Sequence, residues 1–380
     1  KAGLTKRSVL LQCCKVGEKQ TFADITATLD DIVNAGATSL VLPRILTQLT
    51  DEGEWPLPEM YLLESPHGGL EELKALVAAV QARGLTAIAQ VQVELPEDHC
   101  SVLRYPCNGH VPDDATARHT TEYCNWLSWL RTDIGFDGLQ LCDTQEHDAH
   151  FLLQCLETAA PEMTVVEASG VTIVGGYEHA WAPADEPDRE LMTNTVLHEV
   201  LSTRDWERLA AAKQMSHAVT YVDSDVPDAL GLVADPLPLE YATLGYVYTL
   251  THVGMPSVWW SHLCPTSTSP AAEELPHVIR TLLKIRQEYG ISADSVVAVQ
   301  HASDDAYVAT VGTSVLVMIG TNAVTIGEWS PDELLGWEIG ASGEDYTVWV
   351  KTRERALTLV KTALNLVQKG APASKAREGR

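Results

Sequence analysis

Side chains able to do chemistry gather at a few places along this chain. His99 and Cys100, with Cys107 and His110, bring two imidazoles and two thiols within twelve residues. A tetrahedral zinc site uses such ligands, but this spacing matches no common zinc module. No metal is therefore expected, and a Cys100–Cys107 disulfide or unlinked loop residues stay open as alternatives. Glu167 closes the apolar run Val165-Val166, where a carboxylate could act as a general acid or base. Asp143 and Asp225 are further carboxylates near strand-like runs, yet alternation turns Asp143 away from the face that its neighbour Cys142 occupies. Cys142 itself would need an activating base or a lowered pKa to be a nucleophile, so its expected role is a buried thiol filling space. Trp259 and Trp260, near the end of a late apolar run, are the tryptophans placed best to stack on a ring-shaped ligand, although aromatic residues in such a run are more often core.

Composition narrows the partners. The 380 residues are 45% hydrophobic, enough to bury a large core, and carry a formal charge of -26. That charge argues against nucleic acid or an anionic membrane surface, and leaves neutral ligands and other proteins. The sequence holds no run of about 18 apolar residues, and the N-terminal Lys1–Arg7 lacks a signal-peptide core, so no membrane insertion is expected. Eight cysteines in a chain this long make no dense disulfide pattern, and reduced thiols are expected. An intracellular location, cytoplasm or an organelle such as a plastid, is favoured over secretion.

The elements that would position these groups alternate in type. Strand-like runs at residues 9–12, 39–43, 86–93, 135–142, 163–167, 218–223 and 256–260 are interleaved with helical stretches such as 22–35, 70–83 and 120–134. Gly36 and Gly84 follow two of the helices as C-terminal caps. With no glycine-rich dinucleotide fingerprint after the first strand, the pattern predicts a (β/α)8 TIM barrel over residues 1–290. From about residue 291 the period shortens, and runs at 295–300, 306–311, 314–319 and 345–350 predict a small C-terminal antiparallel β-sheet domain over 291–351. Residues 352–380 read as a C-terminal helical extension with Leu357, Val360, Leu364 and Val367 on one side, followed by a tail. Counting Lys351–Arg380, eight Lys/Arg against two Glu give +6 and leave -32 on the rest.

Several stretches, in order, resemble the α-amylase family, in particular its plant type. Gly135-Phe136-Asp137-Gly138-Leu139-Gln140-Leu141-Cys142 is similar to the family pattern G-F-D-G-x-R-x-D, and Tyr246–Pro256 to Y-A-Y-x-L-T-H-P-G-x-P. Residues 30–43, 84–89, 285–291 and 343–349 add further similarity. The resemblance implies the same barrel with its C-terminal sheet, and a mouth with two catalytic carboxylates about 5 Å apart plus a third carboxylate that stabilises the distorted sugar.

Position by position, the resemblance implies that Glu167 is the retained acid/base, while Cys142 stands at the nucleophile position and Val226 at that of the third carboxylate. Gln140 replaces the arginine that partners the nucleophile, and Asp225 replaces a substrate-binding histidine. Trp259 and Trp260 complete the candidate substrate-binding set. Glu94 and Leu95 replace a calcium-ligand asparagine and a sugar-contacting histidine, and the loop 95–119 is short, so the family's calcium site is expected to be lost and no cofactor is expected. The implied function is a catalytically degenerate α-amylase-like protein serving as a structural or interaction subunit with other protein subunits. The alternatives are a weakly active α-glucan hydrolase using Glu167 with a relocated carboxylate, and a non-hydrolytic carbohydrate-binding protein.

Overall fold

The computed structural model of the chain describes residues 7–13, 20–43, 64–65, 67–92, 114–142, 144, 149–168, 171–174, 194–212, 216, 218–222, 237–265, 270–320 and 336–352. The elements run β1 (Leu10–Gln12), α1 (Phe22–Ala35), β2 (Ser39–Leu42), a small ribbon of β3 (Glu64–Ser65) and β4 (Gly68–Gly69), α2 (Leu70–Ala82) and β5 (Thr86–Gln92). They continue with α3 (Asp114–Trp129), which ends in a π turn at Leu130–Ile134, then β6 (Gly138–Cys142), α4 (Ala149–Ala159), β7 (Met163–Ala168) and β8 (Val171–Val174). The remainder of the first unit is α5 (Asn194–Thr203), α6 (Trp206–Ala211), β9 (Val219–Tyr221), α7 (Leu239–Thr251), β10 (Met255–Trp259), α8 (Trp260–Leu263) and α9 (Pro270–Tyr289).

The large sheet has the order β8-β7-β6-β5-β2-β1-β10-β9. Seven of its strands are parallel, and only β8 runs against its neighbour β7. Because β8 also lies against β9, the sheet curls round on itself as the expected barrel. One wall strand is thus antiparallel where eight parallel strands were expected, and the chain length explains it. Only two residues separate Ala168 from Val171, which is enough for a hairpin, whereas a parallel return needs a crossover of about a dozen residues or more.

Strand alternation sorts the side chains. Leu10, Val41, Ile88, Met163, Val165 and Met255 meet inside the barrel, while Leu11, Leu40, Ala87, Leu139, Val166 and Val258 join the layer between sheet and helices. Helix ends follow local chemistry. Thr21 and Asp24 form a reciprocal capping box on α1, and Gly36 leaves that helix in the left-handed region at φ 99°.

Beyond α9 comes the antiparallel sheet β11 (Val297–Ala302), β12 (Ala306–Val311), β13 (Val315–Gly320), β14 (Trp337–Gly343) and β15 (Tyr346–Lys351), in the order β11-β12-β13-β15-β14. Both outermost strands carry a register slip, at 299–301 in β11 and at 339–341 in β14. The helical extension expected over 352–380 lies outside the described residues from 353 onward.

A buried polar cluster fastens this sheet to the barrel. Arg286 of α9, 2% exposed, donates to the carbonyls of Leu250 (3.0 Å), His252 (3.1 Å) and Gly254 (2.9 Å), so it closes the open C-terminus of α7. His252 bridges the two units. Its Nδ1 faces the Tyr248 carbonyl at 3.0 Å, which can only accept, so Nδ1 carries the proton and Nε2 accepts from the Tyr307 hydroxyl of β12 at 2.9 Å. The ring stacks on Tyr248 at 4.3 Å between centroids. Burial, opposed by the Tyr248 carbonyl and aided by the Arg286 charge, pushes the His252 imidazole down to about 3.

This cluster carries two testable consequences. Arg286→Ala strands three carbonyls in the interior, and chemical denaturation should show a loss of about 3 kcal/mol or more. Since the folded pKa of His252 lies below its unfolded value of 6.5, its contribution is whole above pH 6.5 and is lost as pH falls toward 3. Between about pH 7.5 and about pH 5 the stability of the wild type should fall by about 2 kcal/mol more than that of His252→Phe, measured as urea midpoints across pH.

Candidate active site

The strand β6 is held by the residues that precede its candidate site positions. The π turn ends at Gly135, whose φ of 95° places it in the left-handed region. Asp137, 6% exposed, accepts from the Ala87 amide at 2.9 Å and from the Gln81 side chain at 3.0 Å, tying the start of β6 to β5 and α2. At Gly138 an added Cβ would stand 3.0 Å from the Met163 carbonyl oxygen and 3.1 Å from Met163 Cβ, so a side chain here would push β7 back by a few tenths of an ångström. The G-F-D-G part of the segment is therefore a fold device. It aims Gln140 and Cys142 into the barrel.

Those two side chains are an amide and a thiol. Gln140 and Cys142, 2% and 0% exposed, share the inward face of β6, and each lies beside a glutamine from another strand. Gln12 at the end of β1 donates from Nε2 to Gln140 Oε1 at 3.2 Å. Gln90 of β5, which pairs in register with Gln140, donates from Nε2 to Cys142 Sγ at 3.5 Å. Gln140 Nε2 also lies 4.0 Å from the same sulfur. Amide and thiol dipoles thus satisfy one another across three strands, at the level where the resemblance implies an arginine and a carboxylate. Ser257, inward on β10 and 2% exposed, adds a hydroxyl with no hydrogen-bond partner among the described residues.

The partners Gln12 and Gln90 carried no expected role. A signal for them was present, since each is polar at a position whose strand parity, set by Leu10 and Ile88, is inward. Glu167 lies in β7 two residues beyond the inward-facing Val165, with its backbone in register with Thr172 of β8. Trp259 and Trp260 are both buried, at 6% and 8%, and they serve different surroundings. Trp259 shares the strand parity of Met255, and its amide donates to the Tyr246 hydroxyl at 3.2 Å, which in turn meets His262 Nδ1 at 2.9 Å. Trp260 belongs to the layer between sheet and helices, where its Nε1 donates to the Gln20 side chain at 2.8 Å once that amide is turned to suit its neighbours. Asp143, Asp225, Val226, Glu94, Leu95, His99, Cys100, Cys107 and His110 lie outside the described residues.

Known proteins bear on this arrangement. The α-amylase C-terminal β-sheet domain model matches residues 288–350, the span of β11 to β15. The chain is 24% identical over 387 residues to probable alpha-amylase 2 of Arabidopsis thaliana, covering 86% of this chain and 90% of that protein. It is 31% identical over 134 residues to alpha-amylase type B isozyme of Hordeum vulgare, covering 35% of this chain and 80% of that protein. In three dimensions it is similar to an alpha-amylase from Malbranchea cinnamomea, with a TM-score of 0.58 at 13% identity over 91% of this chain and 96% of that one.

The neutral layer makes a prediction about charge. Gln140→Arg should cost roughly 3 kcal/mol, because a buried guanidinium would face a thiol and two amides. Cys142→Asp should also destabilise, its carboxyl kept protonated by burial. The double variant should recover more than about 1 kcal/mol relative to the sum of the two, read from denaturation midpoints as a double-mutant cycle.

Proposed function

Because this chain belongs to the α-amylase family, its barrel mouth is where an α-glucan would meet paired carboxylates, and we propose that this mouth is catalytically degenerate and that the barrel serves as a structural or interaction subunit of a larger protein assembly. The observation that carries the reading is the Gln12–Gln140 and Gln90–Cys142 pairing. Retaining hydrolysis requires a nucleophile that attacks the anomeric carbon and an acid that protonates the leaving oxygen. At the nucleophile position stands a buried thiol in contact with the amides of Gln90 and Gln140, and a neutral amide cannot draw off its proton. The sequence at the third carboxylate position is Val226, which has no charge to offer. Of the three positions that the resemblance implies for carboxylates, Glu167 alone keeps one, and one carboxylate cannot fill both roles.

A protein relieved of catalysis is free to be used as a surface. The acidic body and the basic segment after Lys351 suit docking to other protein subunits with complementary charge. An intracellular setting, cytoplasm or plastid, fits a chain whose eight cysteines make no dense disulfide pattern.

Release of reducing sugar from soluble starch tests the reading. The wild type is expected to match Glu167→Gln at the level of the buffer blank, while the full chain co-purifies with a fixed set of proteins. Sugar release that is abolished in Glu167→Gln would overturn it in favour of a weakly active hydrolase. A monomer that binds maltooligosaccharide without hydrolysis would overturn it in favour of a carbohydrate-binding role.

A further inference from the structure

The helices α3 and α4 pack side by side, and two cysteines face each other in the contact. Cys124 and Cys155, 2% and 0% exposed, hold their sulfurs 3.0 Å apart, closer than unbonded sulfur atoms ordinarily approach. Around them Tyr123 packs on Phe151 and on Trp126, each at 5.7 Å between ring centroids, so the backbones that carry the two thiols are held in place. We propose that Cys124 and Cys155 form a reversible disulfide, which makes the α3–α4 contact a thiol-redox modification site.

A low-molecular-weight disulfide is the oxidant that this chemistry takes. Cys124, as the thiolate, attacks one sulfur of the oxidant, forms a mixed disulfide and expels one thiolate, which takes up the proton that Cys124 gave up. Cys155 then loses its proton and attacks Cys124 Sγ, expelling the second small thiol. One S–S bond of the oxidant is broken and one is made in the protein, and two electrons and two protons leave with the two small thiols. Closure shortens the sulfur separation from 3.0 Å to about 2.0 Å, a movement within the reach of side-chain torsions. The order of attack has a cause. The hydrogen bond between the two sulfurs holds the Cys124 thiol below its ordinary range, and the same bond, with burial, raises that of Cys155. Because both sulfurs are buried, a small oxidant enters only as the helices part, so oxidation is slow and the closed bond is shielded.

The test uses the full wild-type chain equilibrated in oxidised and reduced glutathione over a series of ratios, quenched in acid, unfolded, alkylated and digested for mass spectrometry. The expected result is a linked peptide pair containing Cys124 and Cys155 at oxidising ratios, reversed by dithiothreitol. The oxidised protein should melt roughly 5 °C higher than the reduced protein. In Cys155→Ser the linked pair should vanish and Cys124 should be recovered as the glutathione mixed disulfide. Complete alkylation of Cys124 and Cys155 at every ratio, or linkage of either to a third cysteine in place of the other, would overturn the proposal, and neither reading depends on a variant that folds.

Discussion

The interior of a closed sheet admits polar groups only if each finds a partner without leaving net charge behind. This constraint governs the upper half of the barrel. An arginine and a carboxylate can share such a space because each neutralises the other; removing one alone leaves a buried charge that costs several kilocalories. In this chain Gln140 and Cys142 occupy both positions, so neither partner is stranded, and Gln12 and Gln90 supply the hydrogen bonds. Dipoles in place of a charge pair keep such an interior free of stranded charge, which supports the proposed loss of the nucleophile. Under the proposed function, fold and chemistry are separated at the level of two side chains on one strand.

That separation is visible within a single segment. Gly135, Asp137 and Gly138 answer to geometry: a left-handed cap, a carboxylate that ties three elements, and an approach that a Cβ would crowd. Gln140 and Cys142 answer to the cavity. The residues similar to the family in this segment are those that concern packing, and the two that differ, Gln140 and Cys142, face the barrel interior. His252 and Arg286 are a second case of the first kind, since they lie in or beside family-like stretches and are spent on joining barrel to sheet.

Much of this architecture was legible in the sequence, and the exceptions have local causes. Apolar runs bounded by Gly36 and Gly84 located β1, β2, β5 and the helices between them, because such runs and caps are decided by neighbouring residues. β14 escaped detection: it ends in Gly340-Ala341-Ser342-Gly343 beside a register slip, and so shows no alternation. β8 also escaped detection, being a four-residue strand whose reversed direction is set by the two-residue gap after Ala168. At the site, the types at positions 140 and 142 were readable, whereas the partnership with Gln12 and Gln90 was not. Residues 128 apart in sequence meet only once the barrel closes. The Cys124–Cys155 contact is hidden for the same reason, since it depends on how two helices lie against each other.

The register slips in β11 and β14 bear on how this molecule meets its neighbours. A regular outer strand offers a ladder of free amides and carbonyls to any passing strand, and a row of such sheets can grow without limit. An extra residue breaks the spacing of that ladder and twists the strand out of plane. Both borders of the C-terminal sheet are interrupted in this way, although Ile339 and Val299 are exposed there and would otherwise invite contact. These two borders are thereby guarded against open-ended stacking through backbone pairing, so contacts made there fall to side chains, which can be specific and finite.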